Sequence, residues 1–77
     1  MKSQWRGWFD VKLRAWPVDD GMFVGRFEIW APKGADPQQV HEDSGSTAEP
    51  FSSKQEAIDD ARRRADVWCE NNYRPGP

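Results

Sequence analysis

The sequence contains little of what catalytic and membrane proteins use. It has one cysteine and one histidine among 77 residues, and no apolar run is as long as a signal-peptide core or a membrane span. A single cysteine excludes a disulfide within the chain and is typical of a reducing compartment. The formal net charge of −2 argues weakly against a general binder of nucleic acid or of anionic membranes. We therefore expect a cytoplasmic protein with no cofactor and no membrane role.

The combinations of residues that could carry chemistry have plainer explanations. His41, Glu42 and Asp43 place an imidazole beside two carboxylates, but neighbouring residues of a strand point to opposite faces and do not converge on one metal ion. Cys69 with His41 as its base is the only candidate for a catalytic nucleophile, which needs a thiol of lowered pKa. Cys69 follows Trp68 on an apolar helical stripe, where cysteine usually packs as a small hydrophobic residue. We expect neither a metal site nor an enzyme, and a Cys69–His41 pair is the catalytic alternative.

The basic run Arg62–Arg64 resembles a phosphate-binding surface at first sight. Acidic residues of opposite sign lie one helical turn away, which pairs Asp59 with Arg63, Asp60 with Arg64, and Arg62 with Asp66. The sequence therefore predicts a solvated face of ion pairs here.

Residues 5–30 alternate with a period of two and predict a β-hairpin. One face of its strands is largely apolar and consists of Trp5, Gly7, Phe9, Val11, Leu13 and Ala15 with Phe23, Gly25, Phe27 and Ile29. A loop of Asp19, Asp20 and Gly21, with the aspartates right-handed and Gly21 left-handed, would pair Val18 with Met22. That register sets Leu13 against Phe27, Val11 against Ile29, and Lys12 against Glu28.

The chain after the hairpin divides into two polar stretches, a weak strand and a helix. Prolines and a glycine at 31–37 predict a loop. Residues 38–43 predict a short third strand at the sheet edge, and residues 44–49 predict a second loop. A helix of about 53–71 follows, and its capping box is either Ser53 with Glu56 or Ser52 with Gln55.

The helix carries one apolar stripe, formed by Ala57, Ile58, Ala61, Ala65, Trp68 and Cys69. Small residues let a helix lie close to a sheet, and Gly25 marks either a bulge or the point of close approach. The expected partner of the stripe is the face with Phe9, Val11, Leu13, Phe27 and Ile29. The sequence thus predicts one α+β domain over residues 1–77, in the order β-β-β-α, whose three-stranded antiparallel sheet has the helix on one face.

The opposite face of the hairpin has more aromatic residues than a solvent-exposed sheet face usually shows. It carries Trp8, Trp16, Val24 and Trp30 together with Lys12, Arg14, Arg26 and Glu28. A patch of this kind typically marks an interface, unless residues 31–38 or the segment around Phe51 fold across it.

We predict that this face makes the protein a non-enzymatic protein-interaction or regulatory module. The binding residues would be Trp8, Trp16, Trp30, Val24, Arg14 and Arg26. The partner would be another protein or a second copy of the chain in a homodimer. The alternative function is single-stranded nucleic-acid binding, in which Trp8, Trp16 and Trp30 stack on bases beside Arg14 and Arg26. The net charge disfavours this alternative.

Two resemblances agree with this fold. Arg6-Gly7-Trp8 before the hairpin and Phe51-Ser52-Ser53-Lys54-Gln55-Glu56-Ala57 at the helix start resemble the motifs of a family of small, uncharacterised bacterial domains. The resemblance implies a β-β-β-α fold and no known activity. Ser53 to Ala57 is also similar to the helix start in the N-terminal domain of HicB-type antitoxins. In this sequence no DNA-binding segment follows it, so we expect the antitoxin role less than the interaction role.

Overall fold

The computed structural model describes residues 4–33 and 36–73. Three antiparallel strands, β1 (Asp10–Pro17), β2 (Phe23–Lys33) and β3 (Asp36–Ser46), form a sheet in the order β1-β2-β3. The helix α1 (Lys54–Asn72) follows them and packs on one face of the sheet. This arrangement confirms the predicted α+β fold. Within the described ranges, no helix has the length and apolar character needed to cross a membrane.

The hairpin of β1 and β2 has the predicted register. Leu13 lies opposite Phe27, and the N–H of Val18 donates to the carbonyl of Met22 at 2.9 Å to close the loop. Gly21 has the predicted positive φ, at 69°. The prediction of right-handed aspartates is wrong for Asp20, whose φ is 64°. Aspartate tolerates the left-handed region better than most residues with a side chain, so it can occupy this position of the loop.

The first strand begins later than the alternation predicts, and this corrects the side predicted for Trp8, whereas Trp5 lies in the core as its predicted face requires. Gln4–Gly7 form a 3-10 turn, in which the N–H groups of Trp8 and Phe9 donate to the carbonyl of Trp5 at 2.7 and 2.9 Å. The turn directs Trp5 into the core. If the register continued beyond Asp10–Trp30, Trp8 would face Pro32, which has no N–H for a ladder hydrogen bond. The proline explains why β1 stops pairing at this level.

The third strand is longer than predicted, and the two expected loops on either side of it are partly strand. Pro32 pairs in register with Gln39, so the loop predicted at 31–37 is wrong except at residues 34 and 35, which lie outside the described residues. A proline is tolerated here because its missing N–H faces the side where β1 has ended. At the other end, Ser46 still pairs with Arg26, so β3 also includes the start of the loop predicted at 44–49.

The helix begins at the predicted capping residue. The N–H of Glu56 donates to the Ser53 hydroxyl at 3.1 Å, and the same hydroxyl lies 3.1 Å from a carboxylate oxygen of Glu56. This is the Ser53 alternative of the two capping boxes. All of the predicted apolar stripe except Ile58 is buried or packs against the core. The core cluster consists of Trp5, Phe9, Phe27, Ile29, Ala31, Ala61, Ala65 and Cys69. Val11, Leu13 and Trp68 pack against this core at partial exposure.

Gly25 is the point of close approach between helix and sheet. A Cβ atom on Gly25 would lie 2.0 Å from the carbonyl oxygen of Ala57 and 2.9 Å from the Cβ of Ala61. The N–H of Gly25 donates to the hydroxyl of Thr47 at 3.1 Å, and the N–H of Thr47 donates to the carbonyl of Gly25 at 2.8 Å. Of the two interpretations of Gly25, a bulge or a close approach of the helix, the close approach is therefore confirmed.

Candidate binding face

The sheet face opposite α1 is open and is here called the outer face. The alternation of the strands and their register place the following side chains on it: Asp10, Lys12, Arg14, Trp16, Val24, Arg26, Glu28, Trp30, His41, Ser44 and Ser46. Trp16 is 44% exposed and Trp30 is partly buried. The outer face is therefore accessible to a partner.

Each of the two tryptophans of the outer face has the charged group of a basic side chain over its ring. The guanidinium carbon of Arg26 lies 5.6 Å from the ring centroid of Trp16. The ammonium of Lys12 lies 5.0 Å from the ring centroid of Trp30. Cation–indole contacts at these distances are attractive and hold both partners in place. The indoles are thus presented with a positive charge beside them.

Trp30 is further fixed by neighbours on two strands. Its indole N–H donates to Glu28 at 3.4 Å. His41 packs edge-on against the ring at a centroid distance of 5.1 Å. Because Lys12 lies on Trp30, it forms no ion pair with Glu28 among the described residues, although the two are cross-strand partners as predicted. The expected Lys12–Glu28 charge pair is replaced by a cation–indole contact and an indole–carboxylate hydrogen bond.

Arg14 and Arg26 are direct cross-strand partners. Side chains in this relation lie close together, and like charges there are destabilising. In the described part of the chain, neither arginine has an acidic ion-pair partner. Their positive charges are therefore not neutralised within the described residues.

A shallow cavity of about 160 Å³ opens between these side chains. Its lining consists of Lys12, Arg14, Trp16, Arg26, Phe27, Glu28 and Ser44. Three of these residues are cations and one is a carboxylate. The cavity therefore has a net positive wall with an indole at one side, which suits an anionic group attached to an apolar or aromatic one.

Trp8 does not belong to the outer face. Its ring lies edge-on to Tyr73, which follows α1, with 6.0 Å between ring centroids. The 3-10 turn at Gln4–Gly7 brings Trp8 to the end of the helix, so the premise that Trp8, Trp16 and Trp30 share one face is wrong. The structure brings together Trp16, Trp30, Val24, Arg14 and Arg26, and it leaves Trp8 out.

His41 and Ser44 are outer-face residues that the sequence analysis did not assign to the site. Their placement depends on a bulge in β3, which skips Glu42 between the pairs Ile29–Asp43 and Trp30–His41. The bulge puts His41 beside Trp30, on the same face as Ser44. The polar sequence of β3 gives no alternation from which this register could be read.

Cys69 and His41 are separated by the sheet. Cys69 is fully buried on the α1 side, whereas His41 packs on Trp30 of the outer face. Burial, with the carboxylates of Asp66 and Glu70 nearby, raises the pKa of the Cys69 thiol to about 11. A thiol with this pKa is protonated at neutral pH and is a poor nucleophile. Among the described residues no group of histidine, cysteine and acidic side chains is arranged to hold a metal ion.

The arginines of α1 have acidic partners, as predicted, but in different pairs, and the prediction of a fully solvated face is wrong for Asp60, which is buried. Arg62 contacts Asp59 at 3.5 Å, and both Arg63 and Arg64 contact Asp60, Arg64 at 2.8 Å. The expected pairs of Asp59 with Arg63 and of Arg62 with Asp66 are not formed. Asp66 instead contacts Arg6 at 3.6 Å. The hydrogen bond from Arg64 lowers the pKa of Asp60, and Arg63 adds to this effect while burial opposes it.

Comparisons with known proteins add no relative. No family model matches the chain, and no curated protein or solved structure is significantly similar to it. The two resemblances noted from the sequence stay predictions. The site therefore rests on the chemistry of the outer face alone.

Proposed function

We propose that this protein is a non-enzymatic interaction module that binds a protein partner through the outer face of its sheet. The observation that carries the proposal is the pair Trp16–Arg26, an exposed indole with a guanidinium over it. Beside it lies Arg14, which has no acidic ion-pair partner among the described residues. Tryptophan and arginine are the residues that most often dominate binding energy at interfaces. We place the protein in the cytoplasm, since its single cysteine is a free thiol.

The charge of the outer face favours an acidic partner over a second copy of the chain. In a two-fold dimer through this face, like residues of the two copies would approach each other. Arg14 and Arg26 already lie opposite each other within one copy, and a second copy would add more positive charge to the same region. An acidic segment with an apolar or aromatic residue would instead satisfy both the arginines and Trp16.

Affinity capture with three baits tests the proposal. The baits are the wild type, Trp16→Ser and Val67→Ser. Val67 is the matched control, because it is also an exposed apolar residue but lies on α1. We expect a protein that the wild type and Val67→Ser retain and that Trp16→Ser loses, with all three baits folded by circular dichroism. Partners that are retained equally by Trp16→Ser would contradict the use of the outer face.

Single-stranded nucleic-acid binding is the second candidate function. It is supported by the two cation–indole pairs, since both base stacking and backbone contacts would be available on one sheet face. Titration with an unstructured oligonucleotide should then quench tryptophan fluorescence, and raising the salt concentration should weaken binding steeply. Binding without salt dependence, or equal binding by Trp16→Ser, would argue against this candidate.

A further inference from the structure

The cavity on the outer face has an excess of positive charge that the fold itself does not require. Arg14 and Arg26 face each other across β1 and β2, and Lys12 is the diagonal neighbour of Arg26. Such an arrangement costs stability when no anion is bound. The nearest carboxylate in the lining, Glu28, lies within hydrogen-bonding distance of the Trp30 indole N–H. A bound anion would remove the repulsion.

We propose that this cavity binds the phosphomonoester group of a phosphorylated side chain on the partner protein. Three cations and one carboxylate line the cavity, which leaves two positive charges. A phosphomonoester carries about −1.5 to −2 charges at neutral pH and matches this excess. A carboxylate or a phosphodiester carries a single charge and would leave one cation without a counter-charge.

The donors of the cavity also suit this group. The two guanidinium groups of Arg14 and Arg26 offer planar, paired N–H donors of the kind that bind phosphate oxygens. The hydroxyl of Ser44 and the ammonium of Lys12 complete the polar lining. The cavity volume of about 160 Å³ is well above the roughly 10–15 Å³ that one water molecule needs on the same measure, which leaves room for a phosphate group.

Trp16 gives the cavity an apolar wall beside the cations. The group that carries the phosphate can therefore pack on the indole while its oxygens contact the arginines. A phosphorylated protein side chain fits better than a nucleic-acid strand, because it presents a phosphomonoester, whereas the phosphates within a strand are phosphodiesters with a single charge each. This inference rests on the proposed function in one respect, namely that a protein partner supplies the phosphate.

Titration of the ¹⁵N-labelled protein with phenyl phosphate and with dimethyl phosphate at constant ionic strength tests the site. We expect phenyl phosphate to shift the amide signals of β1 and β2 and dimethyl phosphate to bind at least tenfold more weakly. Losing one charge-assisted hydrogen bond of about 1.5–3 kcal/mol corresponds to roughly a ten- to hundredfold loss of affinity, which we expect for Arg14→Gln. Arg62→Gln is the matched control, because Arg62 is an exposed arginine of α1 paired with Asp59, and it should bind like the wild type.

Two results would overturn the inference. One is equal binding of phenyl phosphate by the wild type and Arg14→Gln. The other is equal affinity for phenyl phosphate and dimethyl phosphate, which would show that the cavity does not select the second charge of a phosphomonoester.

The source of the phosphate is tested with a phosphoserine peptide and a 5′-phosphorylated oligonucleotide. Tighter binding of the peptide supports a protein partner, and tighter binding of the oligonucleotide overturns that assignment. Failure of the proposed function looks different from failure of this inference. If phenyl phosphate does not bind but a protein partner still requires Trp16, only the phosphate inference fails. If phenyl phosphate binds and no partner requires Trp16, the phosphate chemistry stands and the protein-interaction function fails.

Discussion

The protein carries two groups of three cations, and the groups differ in what lies next to them. On α1, Arg62–Arg64 contact Asp59 and Asp60, which come from the same helix. On the outer face, Lys12, Arg14 and Arg26 have no acidic ion-pair partner among the described residues. Two of these three lie on indole rings instead.

The difference separates structural charge from charge available for binding. The helical arginines are close to their acids because residues three and four apart share one side of a helix. The sheet cations are brought together by cross-strand register, which places Arg14 against Arg26 at some cost in stability. A costly arrangement beside an exposed tryptophan indicates a ligand, whereas a neutralised arrangement on a helix needs none. The following predictions test this contrast, and they test which face of the sheet packs on α1 and which is open.

The largest effect is expected at Gly25, where the sheet face under α1, here called the inner face, contacts the helix most closely. Gly25→Val would place a side chain within 2.0 Å of the Ala57 carbonyl oxygen, so the helix would have to leave the sheet. We expect loss of the cooperative unfolding transition, measured by circular dichroism on heating. Gly7→Ala is the control, because a Cβ at Gly7 meets nothing within 4 Å. A folded Gly25→Val protein with an unchanged midpoint would contradict the packing of helix on sheet.

The next effect compares a buried residue of the inner face with an exposed one of the outer face. Ile29 has no exposed surface, and Ile29→Ala should lower the free energy of unfolding by about 2–5 kcal/mol. Trp16→Ser removes a larger side chain that is 44% exposed, and we expect a smaller loss. Urea denaturation of both variants gives the two free energies. A greater loss for Trp16→Ser would show that Trp16 belongs to the core rather than to a binding face.

The ion pairs of α1 should make the free energy of unfolding depend on pH in the acidic range. The pKa of Asp60 is lowered in the folded protein, chiefly by the hydrogen bond from Arg64. The carboxylate therefore contributes stability above its unfolded pKa of about 3.9, and this contribution is lost as pH falls through the lower folded pKa. Asp60→Asn should have a lower free energy of unfolding than the wild type at neutral pH. In urea melts this difference in free energy should become smaller below pH 4. Asp59→Asn, an exposed neighbour in the same turn, is the control.

This role would be contradicted if the difference in free energy of unfolding between the wild type and Asp60→Asn stayed constant from neutral pH to pH 3. An equal difference for Asp59→Asn would show that burial of the Asp60 carboxylate adds nothing to the stability that its ion pairs provide. Either result would weaken the contrast between neutralised helical cations and open sheet cations.

The sequence predicts the inner face well because its signals are local and periodic. The alternation of Val11 and Leu13 and the alanine stripe of α1 each determine which side faces the core. The turn residues Asp19–Gly21 then set the register. These features act over short stretches of chain, and each agrees with the others.

The outer face could be predicted only in part. Trp16, Trp30, Arg14 and Arg26 follow from the same alternation. Trp8 does not, because a 3-10 turn replaces the strand where Pro32 cannot support pairing. The contribution of Ser44 to the cavity lining comes from β3, whose polar sequence and bulge leave its register unspecified. Strand periodicity also does not predict whether a cation contacts an acid or an indole. Lys12, which contacts Trp30 rather than Glu28, is such a case.

The smallest effect is also the sharpest test of the contrast, because it predicts opposite signs for similar substitutions. Arg14→Gln removes one member of the like-charged cross-strand pair and should raise the free energy of unfolding by about 0.2–1 kcal/mol. Arg62→Gln removes an arginine from its pair with Asp59 and should lower it by about 0.2–0.5 kcal/mol.

Urea melts of both variants at low salt and at 1 M salt measure the two shifts. Both should shrink at high salt, because the screening length falls to about 3 Å at 1 M. Phenyl phosphate should stabilise the wild type more than Arg14→Gln, since a ligand that binds only the folded state adds to its stability. Destabilisation by Arg14→Gln at low salt would mean that Arg14 serves the fold, and the outer cations would then differ from those of α1 only in position.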